Sequence, residues 1–160
     1  MYIISYKSYL VLYNTYFYLG MIIMKQKYYE LFEQNNLRAS HQRFIIFNYL
    51  ANNFCHPTAD MVLSEIKNEL PTLSKSTIYK TLNAFVKAGI LREITIEDNE
   101  IRYEYNLSDH GHFKCEKCGA IYDFDIDINN LNFKDLNGFK INDKNVYFKG
   151  LCKNCIENKH

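Results

Sequence analysis

Four of the five cysteines in this 160-residue chain form two Cys-x-x-Cys pairs, and these pairs constrain the fold more than any other feature. The pairs are Cys115 with Cys118 and Cys152 with Cys155. Two intervening residues let both sulfurs of a pair reach one ion from a tight turn, and two such pairs supply the tetrahedral sulfur ligands that suit zinc. The pattern therefore predicts a structural Zn²⁺ site that joins two segments near the end of the chain.

A thiol oxidoreductase is a different interpretation of the same cysteines. Such an enzyme needs one reactive pair, usually at the N-terminus of a helix, whereas two pairs that close one domain fit zinc better. Paired cysteines at this spacing are also typical of a reducing compartment, so a cytoplasmic location is expected. Cys55 lies outside both pairs and is expected to be a small core residue. Because the sequence has no nucleophile–base triad and no phosphate-binding loop, we expect neither an enzyme nor a small-molecule substrate.

The first 24 residues, MYIISYKSYLVLYNTYFYLGMIIM, contain six tyrosines. Lys7 and the lack of an A-x-A-like cleavage site argue against a signal peptide. The stretch is close to the ~20 residues that a membrane span needs, so a transmembrane anchor is an alternative. The expectation is that residues 1–24 are a non-native or disordered extension, that Met21 or Met24 begins the working protein, and that no membrane is bound.

Apolar residues at helical spacing predict four short helices, over residues 25–36, 41–53, 59–70 and 75–88. Candidate N-cap residues precede the last three helices: Ser40, Thr58, and Ser74 or Ser76. Pro71 is expected to end the third helix and Gly89 the fourth.

After Gly89 the hydrophobic period changes to two. Residues 91–96 and 101–106 alternate as two strands joined by a turn. Helices followed by such a hairpin have the order of a winged helix-turn-helix domain, predicted over 25–100. Residues 101–160 are predicted to be a hinge and a small α/β dimerisation domain, with strands at 119–124 and 145–150 and a helix near 127–136. The fold class is therefore α+β.

Charge is unevenly distributed between the two halves. Residues 21–96 carry nine Lys/Arg against six Asp/Glu, and residues 97–160 carry nine against twelve. A mildly basic first half and an acidic second half suggest different roles, although an ordinary solvated surface explains the same numbers. The helix near 75–88 precedes the hairpin and is predicted to be the recognition helix. The residues expected to face DNA are Lys75, Ser76, Thr77, Tyr79, Lys80 and Thr81.

A second group of potential metal ligands surrounds the first cysteine pair. His110 and His112 alternate with Gly111, so both imidazoles lie on one side of an extended segment. Glu104 lies nearby in sequence, and Asp123 follows the cysteine pair. Nitrogen and oxygen ligands without thiolate suit Fe(II), Mn(II) or Zn(II). Spacing alone fits either a metal site at His110 and His112 or a surface histidine pair.

Several motifs in order resemble the ferric uptake regulator (Fur) superfamily, over about residues 28–156. They are Leu37–Arg43, His56–Asp60, Ser74–Leu82, Arg102–Asn106, His110–Gly119 and Gly150–Cys155. One departure is His41, where the family usually has proline. The resemblance implies a homodimer that binds double-stranded operator DNA, with structural zinc on the four paired cysteines. It also implies a regulatory Fe²⁺ or Mn²⁺ with five ligands: His56, Glu104, His110, His112 and Asp123.

Within the superfamily, the peroxide-sensing repressors look most similar. Asp123 resembles those sensors, whereas Glu104 looks more like the iron-uptake pattern. Gly111 and Lys144 cannot supply the extra metal site of many iron-uptake regulators. The expectation is therefore repression relieved when iron-catalysed oxidation adds oxygen to His56 or His110. An iron- or zinc-uptake regulator of the same superfamily is the alternative.

Overall fold

The computed structural model describes residues 6–53, 56–97, 100–105, 108–127, 134–142 and 144–157. The helices are α1 Tyr6–Gln34, α2 His41–Asn52, α3 Ala59–Glu65, α4 Lys75–Lys87 and α5 Lys153–Ile156, with short 3₁₀ turns at Ile66–Asn68 and Lys134–Leu136. The strands are β1 Arg92–Glu97, β2 Glu100–Glu104, β3 His110–Cys115, β4 Ile121–Asp125 and β5 Val146–Gly150. This mixture confirms the α+β class.

Three predicted helix starts are confirmed by side-chain caps. Ser40, Thr58 and Ser74 each accept a hydrogen bond, at 3.2 Å, from the backbone N–H three residues later. Such a cap satisfies one of the N–H groups that a helix start leaves without a partner. Gly89 ends the stretch after α4 with φ +68°, a conformation that glycine adopts without steric cost.

Helix α1 differs from the prediction, because it starts at Tyr6 rather than near Lys25. No proline interrupts this segment, and its single glycine, Gly20, is tolerated inside the helix. The side chains of residues 15, 16 and 18–24, which the structure describes, are exposed, for example Tyr16 at 71% and Ile22 at 64%. Within the described residues, we find no helix with the length and apolar character needed to cross a bilayer.

An aromatic core holds helices α1, α2 and α4 together. The rings of Phe32, Phe47 and Phe85 are fully buried and lie with centroids 5.2–5.6 Å apart. Removing one such ring typically costs ~3–5 kcal/mol. Tyr28 packs edge-on against Phe47, so the part of α1 that the core uses begins close to the predicted helix start.

Two small sheets complete the structure. Strands β1 and β2 form the predicted antiparallel hairpin, and β3 lies between antiparallel β4 and parallel β5. In this register, His112 lies between Asp123 on β4 and Tyr147 on β5. Of the helix expected near 127–136, the described residues contain the 3₁₀ turn Lys134–Leu136, and residues 128–133 lie outside the described part. Cys55 also lies outside it.

Candidate metal centres

The four paired cysteines converge in the C-terminal half. Their sulfurs all lie within 4.8 Å of one another. Cys115 ends β3, and Cys118 lies in the turn that follows, where Gly119 has φ +74°. Cys152 immediately precedes α5, and Cys155 lies within it. Local turns therefore form each pair, and the parallel pairing of β3 with β5 brings the two pairs together.

The sulfur geometry fits tetrahedral zinc. The Sγ atoms of Cys118 and Cys152 are 3.8 Å apart. This separation is far too long for a disulfide, but it matches the edge of a tetrahedron with Zn–S bonds of ~2.3 Å. The backbone N–H of Cys152 donates to the Cys115 sulfur at 3.3 Å. Backbone hydrogen bonds from Cys118 and Cys152 lower the pKa of the Cys115 thiol, which favours the thiolate that binds metal.

The buried Cys155 thiol shows the opposite shift. Burial, reinforced by hydrogen bonding to the neighbouring sulfurs, raises the pKa of Cys155 to about 12. Four thiolates at this separation repel one another, and a divalent cation among them would remove that repulsion. This donor set is the one that zinc prefers in structural sites.

A second cluster joins the two halves of the chain. Glu104 Oε2 lies 3.0 Å from His110 Nε2, 3.2 Å from His112 Nε2 and 3.3 Å from His56 Nε2. Asp123 Oδ1 lies 3.0 Å from His56 Nε2 and 3.7 Å from His112 Nε2. Four of the five residues expected to bind the regulatory metal, His56, Glu104, His110 and His112, therefore share one centre. Asp123 lies against this centre through its contacts with His56 and His112.

Each residue of this cluster comes from a defined segment of the chain. Glu104 ends β2, His110 and His112 share one face of β3, and Asp123 lies opposite His112 on β4. His56 belongs to the segment between α2 and α3. The three imidazoles and Glu104 are buried, whereas the Asp123 side chain is 35% exposed. The cluster is therefore closed except on its Asp123 side.

The nitrogen atoms are arranged to bind a cation. The Nε2 atoms of His110 and His112 face each other at 3.0 Å. His110 Nδ1 lies 2.8 Å from the Ser108 carbonyl oxygen, a contact that places the proton on Nδ1 and leaves a lone pair on Nε2. Burial by itself raises the pKa of Glu104, but hydrogen bonds from His112 and His56 outweigh it and lower that pKa to about 2. Glu104 is thus an anion surrounded by imidazoles, which suits a divalent metal.

A family comparison agrees with this geometry. The model of the ferric uptake regulator family matches residues 34–149. The chain belongs to the ferric uptake regulator family. It is similar to the peroxide operon regulator of Bacillus subtilis, with 31% identity over 134 residues that cover 82% of this chain and 92% of that protein. The peroxide-responsive repressor PerR of Staphylococcus epidermidis is 34% identical over 124 residues, covering 76% of this chain and 83% of that protein.

A solved structure supports the same family. The ferric uptake regulator from Francisella tularensis, determined with iron, has a TM-score of 0.65 and 27% identity. The match covers 75% of this chain and 95% of that one. The likeness therefore extends over nearly the whole length of that regulator.

In the present chain, most of the residues that are expected to face DNA are exposed on α4. Lys75, Ser76, Tyr79 and Lys80 are exposed, and Thr77 is half-buried. Thr81 is only 8% exposed, because it lies between Ile78 and Phe85 on the core-facing side of the helix. We therefore no longer expect Thr81 to contact DNA. Lys75 Nζ lies 2.7 Å from Asp60 Oδ2, so this lysine is not an isolated positive charge.

Sequence reasoning missed two neighbours of the histidine cluster. The Tyr147 ring stacks on His112, with centroids 5.6 Å apart and planes at 25°. Arg92 Nη1 lies 3.6 Å from Glu104 Oε1, on the side of the carboxylate away from the imidazoles. No local sequence signal marks either residue, since both contacts depend on how strands pair.

Proposed function

We propose that this chain is a metal-dependent transcriptional repressor that binds operator DNA as a homodimer and responds to hydrogen peroxide. The observation that carries the proposal is the convergence of His56 with Glu104, His110 and His112 on one buried centre, against which Asp123 lies. A site of this kind links the DNA-binding half to the other half.

Zinc at the four cysteines has a structural role in this proposal. Every thiol of the cluster belongs to the C-terminal half, so the ion cross-links β3 to the segment around α5. That half also exposes apolar side chains that suit a subunit interface. They include Phe139 at 68%, Phe148 at 56%, Leu151 at 51% and Ile156 at 64%.

The histidine–carboxylate cluster is the regulatory Fe²⁺ or Mn²⁺ site of the proposal. His56 is the ligand from the DNA-binding half. Cation binding therefore favours the arrangement of the two halves in which the His56 imidazole lies against Glu104 and Asp123. Any ligand that prefers one arrangement also raises the affinity of other ligands that prefer it, so metal and operator affinity are coupled. The exposed part of α4 supplies the DNA contacts through Lys75, Ser76, Tyr79 and Lys80, with Thr77 at its margin.

The response to peroxide depends on oxidation of an imidazole in the histidine–carboxylate cluster. Fe(II) held by these residues would supply the electron that splits hydrogen peroxide into hydroxide and a hydroxyl radical. The radical would add to a carbon of an adjacent imidazole, and the resulting Fe(III) would take back one electron as the ring hydrogen leaves as a proton. His56 and His110 are the expected targets by resemblance to the peroxide sensors of the family; their distances to Glu104 Oε2 do not distinguish them from His112. Oxidation weakens the affected ligand and so separates the two halves. Mn(II) does not reduce peroxide in this way, so repression is expected to persist with manganese.

Glu104 favours a second candidate, an iron- or zinc-uptake regulator. Glu104 looks more like the iron-uptake pattern of the family, whereas Asp123 resembles the peroxide sensors. In that case, the cluster reports metal concentration by occupancy, and no ligand is modified.

Peptide mass spectrometry after micromolar peroxide separates the two candidates. In iron-loaded protein, His56 or His110 should gain one oxygen atom and operator binding should fall. Manganese-loaded protein is the matched control and should gain none. The exposed His41 serves as an internal control. Unmodified histidines with intact operator binding in the iron-loaded sample would remove the peroxide proposal and leave the uptake regulator.

A further inference from the structure

We infer that Arg102 is a positioning residue for the regulatory metal and that it acts through the backbone of His56. This inference rests on the proposed function of the histidine–carboxylate cluster. Arg102 does not belong to the ligand set, and its guanidinium contacts the carbonyl oxygen of His56 rather than the imidazole.

His56 has a backbone conformation that needs external support. Its φ is +48°, and Asn36 is the only other described non-glycine residue with positive φ. The left-handed region is sterically unfavourable for a residue with a Cβ atom, and a following proline restricts its backbone further. Pro57 is that following residue. Such a conformation persists only where the surrounding structure holds it.

Strand β2 supplies that support through three successive contacts. Arg102 Nη1 donates to the carbonyl oxygen of His56 at 3.0 Å. The backbone N–H of Tyr103 donates to the carbonyl oxygen of Pro57 at 3.0 Å. Thr58 and Arg102 form an isolated antiparallel bridge. The His56 segment is therefore held against β2, the strand that ends in the ligand Glu104.

The Arg102 guanidinium is itself fixed in place. Its Nε and Nη2 atoms lie 2.9 Å and 2.7 Å from Glu100 Oε2, and its side chain is only 15% exposed. One planar group thus bonds the carboxylate through two nitrogens and the His56 carbonyl through the third. The point charge of a lysine cannot reproduce this fork.

A positioning role and a purely electrostatic role for Arg102 predict opposite changes in metal affinity when the residue is removed. If Arg102 acted only as a positive charge near a cation site, its removal would tighten metal binding. If it positions His56, its removal lets the strained backbone relax and carries one imidazole away from the other ligands. We therefore expect weaker binding, despite the lost positive charge.

The test is titration of the zinc-containing dimer with Mn²⁺ alone, read by electron paramagnetic resonance. Arg102→Met should weaken Mn²⁺ affinity by about tenfold or more, the scale typical of changes beyond the ligands themselves. Arg102→Lys should show most of the same loss, and Glu100→Gln a smaller loss of the same sign. Arg38→Met, a change at an exposed arginine elsewhere, is the matched control and should not alter affinity.

A double-mutant cycle shows whether Arg102 acts through His56. In a His56→Ala background, Arg102→Met should cause no further loss. Zinc content and the unfolding temperature are measured for every variant, and if Arg102→Met does not retain zinc, Glu100→Gln decides. Unchanged or tighter Mn²⁺ binding in a zinc-retaining variant would overturn the inference, and so would a full additional loss in the His56→Ala background. Wild-type affinity in His56→Ala alone would instead overturn the proposed site.

Discussion

The two clusters differ in where their ligands originate along the chain. The cysteine cluster uses two pairs of neighbours from the C-terminal half, and each pair is preformed by a local turn. The histidine–carboxylate cluster collects residues from widely separated segments, including His56, whose backbone is strained. A site built from one half can stabilise only that half, whereas a site built from both halves can respond to their separation. The first is suited to permanent structure and the second to regulation.

The largest expected effect comes from breaking the cysteine cluster. Cys115→Ser removes a fully buried sulfur ligand. Because zinc binding in such sites is coupled to folding, with free energies on the order of 10 kcal/mol, we expect loss of zinc and of the dimer. Metal analysis and analytical ultracentrifugation measure both. Cys55→Ser is the control, and a stable zinc-free dimer of Cys115→Ser would show that the cluster is not structural.

Removing a ligand from the other cluster should leave the fold intact. His56→Ala is expected to lower Mn²⁺ affinity by more than about a hundredfold, beyond what changes outside the ligand shell usually cost. Zinc content and dimerisation should remain normal, since no ligand of the cysteine cluster lies near His56 in sequence. If this substitution also released zinc, the two clusters would not be independent and the comparison would fail.

A change on α4 should affect neither cluster. Tyr79 is 39% exposed, and Lys75 Nζ lies 5.9 Å from its ring centroid. Tyr79→Ala is expected to weaken specific operator binding by ~1–3 kcal/mol, the scale of one base-directed contact. Gel-shift titration measures this change, with non-specific DNA as the control. Normal operator affinity would show that the recognition surface lies elsewhere.

The smallest effect is expected at the exposed edge of the histidine cluster. Asp123→Glu keeps a carboxylate but adds one methylene, so Mn²⁺ affinity should change by less than about tenfold, or about 1.4 kcal/mol. Histidine oxidation in iron-loaded protein should slow, because the longer side chain fills the accessible side of the cluster. The rate of oxygen gain after peroxide, compared with the wild type, measures this. An unchanged rate would show that Asp123 does not control access.

Local patterns predicted local structure well. The caps at Ser40, Thr58 and Ser74 follow from residue type and the apolar spacing that comes after them, and the structure contains all three. The predicted start of α1 near Lys25 was wrong, because no proline in the sequence before Lys25 prevents the helix from beginning earlier, at Tyr6. The burial of Thr81 could have been predicted from the sequence, because Thr81 lies three residues after Ile78 on the apolar face of α4.

Long-range contacts were beyond the same reasoning. The two cysteine pairs could be assigned to one site because their spacing is itself a metal-binding pattern. Sequence spacing did not connect His56 to the histidine–carboxylate cluster. Only the resemblance to a known family predicted that His56 belongs to it. The contacts of Arg102 with the His56 carbonyl and of Tyr147 with His112 depend on strand register, which no residue pattern in those segments specifies.

The narrow space beside the histidine cluster has a chemical consequence. A cavity of about 10 Å³ lies next to Asp123, lined by Leu50, Asn53, His56, Tyr103, Glu104, Tyr105 and Asp123. That volume is close to the minimum needed for a single water molecule. In the proposed response to peroxide, hydrogen peroxide would need only a slight displacement of these walls, whereas an alkyl hydroperoxide would have to move whole side chains. Selectivity among peroxides would then come from molecular size rather than from any group that recognises the oxidant.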